Sequence, residues 1–329
     1  METDAGQGVG EERGNATTES VQSNTIAVKE HAAALGFDAC GVAAAGAIDP
    51  EDRLGAWLAR GFHADMDWMA RNADVRRDIQ RKLPGTRSVV VVARDYYGPR
   101  RPTPPGFGRV ARYAWGRDYH RVLAKPLRAL AGFIEGRVPG SRCYRSLDTG
   151  PVLERAWAER AGIGWIGKNG LVLRRDFGSW FFLGVVLTTA TLSPDAPVAD
   201  RCGTCRACID ACPTGAIVAP RVVDARKCIA YHTVENRGVI PARLCERFDN
   251  WVFGCDVCQE VCPWNRFARE TTEADFRPRP NQAVLRLDEV CAMDEPTFRT
   301  RFEGTPIRRT TLEGLRRNAR IVENNAKDR

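Results

Sequence analysis

From Thr25 onward the apolar positions switch between two periods. Hydrophobic residues recur at helical spacing over 26–35, 54–69 and 119–134, which predicts three helices with one buried face each. Residues 88–93 read Ser-Val-Val-Val-Val-Ala, an unbroken β-branched run suited to a strand covered on both faces. Between them, 98–108 holds four prolines and three glycines and predicts a loop. A short strand is expected at 143–147. A helix is expected at 151–161, with proline at its first position and Leu153 and Trp157 on its buried side. Gly162 and Gly164 end that helix, Lys168-Asn169-Gly170 makes a turn, and 171–173 with 180–189 resemble two antiparallel strands. The pattern is that of an α/β or α+β domain over 25–195.

Composition narrows the class. The chain has 329 residues, 43% hydrophobic and 27% charged, as in a globular protein with a sizeable core. Its longest nearly uncharged apolar stretch, 179–192, is shorter than the roughly 18 to 20 residues a membrane helix needs. Residues 1–24 carry five acidic groups, one Arg and no apolar core; they predict a disordered acidic tail and no secretory or transit signal, so a cytoplasmic protein is expected. The net charge of +8 permits a polyanionic partner without requiring one. Residues 298–329, with nine basic and four acidic side chains, predict a solvated terminal helix around 312–322.

Cysteine usage carries the chemistry. Nine of the twelve cysteines fall between Cys202 and Cys262, a density that argues for metal ligation in a reducing compartment. Cys202-x2-Cys205-x2-Cys208-x3-Cys212-Pro213 has the spacing of a bacterial [4Fe-4S] ferredoxin, in which the fourth cysteine serves the other cluster. A zinc site is the alternative, but the even stepping does not match separated paired knuckles. A second set follows at Cys228, Cys255, Cys258 and Cys262-Pro263. Cross-ligation then assigns Cys202, Cys205, Cys208 and Cys262 to one cubane, and Cys212, Cys228, Cys255 and Cys258 to the other. Cys245 is the rival to Cys228, while Cys40, Cys143 and Cys291 read as buried thiols. Residues 196–268 therefore predict a two-cluster ferredoxin-like domain, with a basic C-terminal segment over 269–329.

Two motifs need weighing. Gly162-x-Gly164-x-x-Gly167 spells a dinucleotide pattern, and with Lys168 it nearly spells a P-loop. The glycines follow a helix and lead into a turn, whereas a phosphate cradle needs a strand before and a helix after. Asp148, before Thr149-Gly150-Pro151, reads either as a helix cap or as an acid facing a pocket. At a helix N-terminus it would be ionised, so donating a proton would require desolvation by an apolar cofactor or substrate.

Four segments together resemble the epoxyqueuosine reductase family. They are Leu147-Asp148-Thr149-Gly150-Pro151-Val152-Leu153-Glu154-Arg155-Ala156-Trp157-Ala158, Ala161-Gly162-Ile163-Gly164-Trp165-Ile166-Gly167-Lys168-Asn169, Arg112-Tyr113-Ala114-Trp115-Gly116-Arg117-Asp118-Tyr119-His120, and Gly254-Cys255-Asp256-Val257-Cys258-Gln259 leading to Cys262-Pro263-Trp264-Asn265. The resemblance covers roughly residues 25–325. It implies a cobalamin-dependent iron-sulfur enzyme that reduces epoxyqueuosine to queuosine in the tRNA anticodon, the last step of queuosine synthesis. It implies Asp148 as proton donor, and cobalamin contacts from Arg76, Asp148, Lys168, Asn169, the backbone around Ala230, Gly254 and Asp256. Ala230 stands where the family often has serine, and Ile79 where proline is common.

The resemblance further implies a monomer fed by a low-potential electron donor and binding a tRNA that bears the modified base. Longer family members continue into a helical-repeat domain; residues 308–319 resemble its opening, which leaves the basic terminus and the loop from Arg100 to Arg117 as the expected RNA contacts. Two other readings compete. A corrinoid reductive dehalogenase would share the cofactors, and a plain electron carrier would share only the clusters.

Overall fold

The computed structural model describes residues 17–100 and 102–327. Its main strands are β1 (Ala39–Ala44), β2 (Ser88–Asp95), β3 (Phe107–Val110), β4 (Cys143–Ser146), β5 (Phe181–Thr188), β6 (Trp251–Phe253) and β7 (Val284–Arg286). Four helices matter most to the site: α1 (Thr18–Ala34), α2 (Tyr119–Arg137), α3 (Glu154–Arg160) and α4 (Thr311–Lys327).

The larger sheet has the order β1-β2-β5-β4 and is antiparallel throughout. The fold is therefore of the α+β kind, and β2 is buried on both faces as its valine run requires. Glycines show how the two layers meet. A Cβ on Gly41 would strike the Ala161 carbonyl at the end of α3, whereas one on Gly184 would press on Leu127 of α2. Gly184 pairs with Val92, which pairs with Cys40, the neighbour of Gly41, so the two glycines lie on opposite faces. Helix α2 buries Leu123, Leu127, Leu130, Ala131 and Ile134, a stripe at i, i+4, i+7, i+8 and i+11.

A second sheet, β6-β3-β7, joins parts of the chain that the sequence separates. β3 comes from the proline-rich segment expected to be loop. It runs parallel to β6 of the cysteine-rich region and antiparallel to β7 of the C-terminal segment. Boundaries at 195 and 268 thus do not separate independent cores: Val110, Trp115, Val252, Phe253, Leu285 and Leu315 pack in one cluster.

Several sequence expectations shift. α1 begins at Thr18, capped by the Thr17 hydroxyl, so residues 18–24 are helical where a tail was expected; residues 1–16 lie outside the described residues. The helix expected at 54–69 splits into Arg53–Ala59 and Asp67–Arg71, because Gly61 and Ala64 between them adopt positive φ. The two strands expected to pair near 171–189 do not: Val172–Leu173 pairs with Trp165–Ile166, while β5 joins the larger sheet. The glycine motif serves this small hairpin, since a Cβ on Gly164 would overlap the Leu173 carbonyl. Helix α4 is no solvated arm; Leu312, Leu315, Ala319 and Val322 are buried, and Asn318 donates to the Thr233 and Val252 carbonyls at 2.9 Å each.

Candidate functional site

Asp148 is not a helix cap. It adopts φ +60 in the turn after β4, and α3 begins only at Glu154 with Leu153 as its N-cap. The turn is held by Glu154, whose Oε1 accepts the Asp148 N–H at 2.8 Å and the Ser146 hydroxyl at 2.9 Å. Burial, and then the Asp148 charge, push the Glu154 carboxyl up to about 7. Gly150, in the same turn, packs against Ser146.

Helix α2 brings two partners to Asp148 from its first turn. The Tyr119 hydroxyl donates to Asp148 Oδ2 at 2.7 Å, and His120 Nε2 lies 3.4 Å from the same oxygen. His120 Nδ1 in turn meets Asp118 Oδ1 at 2.8 Å, and Asp118 caps the helix through the His120 N–H. Burial works against a charged imidazole, yet the two carboxylates prevail and raise His120 to about 9. The surrounding protein partly desolvates the Asp148 carboxylate although its side chain stays mostly exposed, but His120 and Tyr119 hold its carboxyl below the ordinary value. Tyr119 is fixed by stacking on Phe182 at 4.3 Å, nearly parallel.

Around this group stand Arg76, Tyr113 and Arg309. Arg76 is buried under the Gly150 turn, where Nη1 reaches the Gly150 carbonyl at 3.4 Å and Nε has no hydrogen-bond partner. Burial lowers its pKa, against the charges of Glu154 and Asp148. The Tyr113 ring lies between Tyr119 at 6.4 Å and Phe253 at 6.0 Å, so it links the acidic site to the segment leading into Gly254 and Cys255. Arg309 makes a bidentate pair with Glu235 at 2.7 to 3.1 Å and feels the Asp148 charge.

The cysteines fall into two groups. Cys202, Cys205, Cys208 and Cys262 line one cavity of about 190 Å³, together with Lys168 and Asn169. Beyond burial, the Cys262 thiol is pushed up by Cys202, Cys208 and Cys205, and the Cys258 thiol by Cys228 and Cys212. Cys258 also feels Cys208, so the two groups adjoin. Cys245 joins neither group; it packs against the same apolar cluster as Cys255, but its thiol is directed at the Ile240 carbonyl at 3.7 Å and, among the described residues, no other cysteine acts on it. Backbone N–H groups face the sulfurs, as where Ala216 donates to Cys212 Sγ at 3.2 Å. Among the described residues no three or more His, Cys, Asp or Glu converge on one metal ion. The thiolates of a cubane bind four separate irons, so convergence on a single ion is not what such a set requires.

The other resemblance-implied contacts take definite places. Lys168 Nζ donates to the Gly203 and Cys205 carbonyls at 2.7 and 2.8 Å, bracing the loop of the first set. Asn169 is buried; its amide donates to the Cys258 carbonyl at 3.4 Å, and its oxygen accepts from Leu171. Both side chains are thus engaged with the cluster loops. Ala230 is half-buried in the helix Ile229–Val234, directly after Cys228. Gly254 has φ +67 and donates to Thr233 Oγ1 at 2.9 Å; a Cβ there would strike Ala111.

Asp256 carries a correction. Its carboxylate is buried and accepts from Arg100 at 2.7 Å, and from the Arg112 guanidinium and backbone N–H at 3.0 Å each. It is occupied within the protein. The same pairs remove Arg100 and Arg112 from the expected RNA-binding loop, and Glu260 takes a further bond from each. In the C-terminal helix, Arg317 is committed to the His232, Asn236 and Gly238 carbonyls, and Arg316 to that of Met293. Tyr119, His120, Asp118 and Glu154 lie within the family-like segments, but only their three-dimensional convergence reveals a role. Arg309 was legible only as part of the basic C-terminal segment, and nothing in the sequence placed it near Asp148.

Adjoining four-cysteine groups joined through Tyr113 to a buffered carboxylate define a class: a two-cluster iron-sulfur oxidoreductase. A family model for a 4Fe-4S double cluster binding domain matches residues 201–265, and one described as Epoxyqueuosine reductase QueG, DUF1730 matches residues 76–149. The chain belongs to the epoxyqueuosine reductase family. It is 49% identical over 300 residues to epoxyqueuosine reductase of Gloeobacter violaceus, covering 89% of this chain and 93% of that one. To the Escherichia coli enzyme it is 40% identical over 316 residues, covering 94% and 83%.

Solved structures agree. An epoxyqueuosine reductase with an epoxyqueuosine-modified tRNA-Tyr stem loop superposes with TM-score 0.85 at 31% identity, covering 92% of this chain and 81% of that one. The Bacillus subtilis enzyme, described with its aspartate catalytic loop swung out of the active site, gives TM-score 0.85 at 30% identity, covering 92% and 82%. Among the described residues no helix is long and apolar enough to cross a membrane.

Proposed function

We propose that this chain reduces epoxyqueuosine to queuosine in the tRNA anticodon, with Asp148 delivering a proton. The observation that carries the proposal is the Asp148 carboxyl, held by Tyr119 and His120 and linked through Tyr113 to the segment bearing Gly254 and Cys255. Removing an epoxide oxygen as water consumes two electrons and two protons. Cys202, Cys205, Cys208 and Cys262 would hold one [4Fe-4S] cluster, and Cys212, Cys228, Cys255 and Cys258 the other. Two clusters and a cobalamin, when bound, would supply the electrons singly at low potential.

Residues at the site fit cobalamin. The buried, unpaired Arg76 Nε is a donor awaiting an acceptor such as a carboxamide oxygen. Gly254, beside the second cysteine set, combines a positive φ with close packing on Ala111, so that position must stay without a side chain.

The chain's own groups supply one of the two protons, and the second comes from water. With its carboxyl held below the ordinary value, Asp148 is ionised at neutral pH, whereas His120, raised to about 9, is protonated. His120 is then the proton store and Asp148 the group that faces the substrate. A proton passes from His120 Nε2 to Asp148 Oδ2 as substrate excludes water and the carboxylate is desolvated. Tyr119 keeps that oxygen in place, while Glu154 holds the Asp148 backbone through its N–H. The RNA would present its base splayed from the loop, the usual mode of single-strand recognition.

The test of the cofactor assignment is a titration of the anaerobic, cluster-loaded protein with cobalamin. Saturable binding that Arg76→Ala weakens supports the reading, whereas about eight irons per chain with no corrin bound favours a plain electron carrier. A reductive dehalogenase would bind the corrin and remove halide from a halogenated aromatic but leave epoxyqueuosine unchanged.

A further inference from the structure

The two cysteine groups are unequally placed. Cys205 is exposed, and every other cysteine is less so. Cys255 of the second group packs on the same apolar cluster as Tyr113, which reaches Tyr119 beside Asp148, so the first group forms the outer end of the electron path. Around the first group the surface has a distinctive composition. Val261 and Phe267, beside Cys262, remain 37% and 39% exposed, among the few large hydrophobic residues so placed in the described chain. Arg201 and Arg266 line the same cavity as the cysteines, and neither forms an ion pair among the described residues. Arg266 instead lies 4.6 Å over the Phe267 ring. Nearby carboxylates are already engaged: Asp200 with Arg221, Asp210 with Arg206, and Glu260 with Arg100 and Arg112.

From this, and resting on the reading that the first group holds a cubane, we infer that the face around Cys205 docks a small acidic one-electron carrier protein. Uncompensated arginines around a small apolar centre attract an acidic partner from a distance and seat it briefly. Each encounter moves one electron: the carrier is oxidised by one, the cluster is reduced by one, and no bond or proton changes hands. Two encounters match the two electrons that one epoxide consumes. RNA is the less fitting occupant, because the substrate base must reach Asp148, at the far end of the path.

The test uses the cluster-loaded full chain and a reduced, acidic plant-type ferredoxin as probe, following cluster bleaching by stopped flow. Reversing both charges with Arg201→Glu and Arg266→Glu is expected to slow ferredoxin-driven reduction about tenfold or more at low salt, with wild-type rates falling as salt rises. Reduction by dithionite and affinity for an epoxyqueuosine anticodon stem loop are expected to stay unchanged. Should dithionite reduction also fail, the neutral pair Arg201→Gln and Arg266→Gln replaces the reversal, with a several-fold slowing expected. Arg243→Glu with Arg247→Glu alters a separate basic cavity of about 730 Å³ lined by Pro213, Thr214 and Lys227 next to the second cysteine set. A wild-type ferredoxin rate in the Arg201/Arg266 variants, a selective slowing in the Arg243/Arg247 variant, or a loss of stem-loop affinity without slower reduction would each overturn the assignment. If ferredoxin reduction slows as expected but wild-type protein never converts the nucleoside, the docking face stands and the proposed function fails.

Discussion

The Tyr119 hydroxyl donates to Asp148 Oδ2 at 2.7 Å, and this bond ties the first turn of α2 to the turn after β4. Asp148 is 61% exposed in its side chain, so its position depends on that tether and on Glu154 rather than on enclosure. Asp148→Asn is expected to retain both clusters and lower turnover about 10²- to 10⁴-fold, the range for loss of a general acid. Turnover near wild type, measured as nucleoside conversion per iron-loaded chain, would remove Asp148 from the chemistry.

His120 gives the protein a pH signature. Its folded pKa of about 9 exceeds the ordinary 6.5, so its stabilising contribution is fully present below about pH 6.5 and is lost as pH rises through about 9. Turnover is expected to fall over the same upper limb as the proton store empties, and His120→Gln should flatten that limb. A wild-type profile that stays level to pH 10 contradicts the relay.

Replacement of Cys228 by serine is expected to cost one cluster, about half of the bound iron, while Cys245→Ser leaves the iron content intact. The expectation follows from the company each keeps: Cys228 adjoins Cys212, Cys255 and Cys258, whereas Cys245 faces the Ile240 carbonyl. Iron and sulfide analysis after anaerobic reconstitution decides between them; the reverse result would reassign the ligand.

Arg112 joins the proline-rich segment to the cysteine-rich one, donating to Asp256, Glu260 and the Gly98 carbonyl while buried against Trp180 at 4.6 Å. Arg112→Ala leaves the buried Asp256 carboxylate with one partner fewer, and a loss of about 3 to 5 kcal/mol is expected. Urea unfolding of the two proteins measures it. Stem-loop affinity should hold under native conditions, since this guanidinium faces inward.

The cysteines were legible because iron-sulfur ligation demands fixed thiolate spacing, and spacing is what a sequence records. The valine run of β2 was legible for the same kind of reason, since burial on both faces leaves no polar alternation. What stayed hidden depends on distant pairing. Phe107–Val110 lies among prolines and glycines and becomes a strand only because β6 and β7, more than 140 and 170 residues on, take up its two edges. Arg100 and Arg112 read as RNA contacts until Asp256 and Glu260 close on them. Asp148 read as either a cap or an acid facing a pocket, because a helix was expected to start at Pro151; the helix starts instead at Glu154, whose carboxylate accepts the Asp148 N–H, and Asp148 caps nothing.

The central claim is tested most directly by incubating the reduced, cluster- and cobalamin-loaded protein with an epoxyqueuosine-bearing anticodon stem loop, then digesting the RNA and weighing its nucleosides. The account predicts conversion of epoxyqueuosine to queuosine, with loss of one oxygen and consumption of two electrons per nucleoside. An unchanged nucleoside, from protein shown to hold both clusters and the corrin, would contradict it.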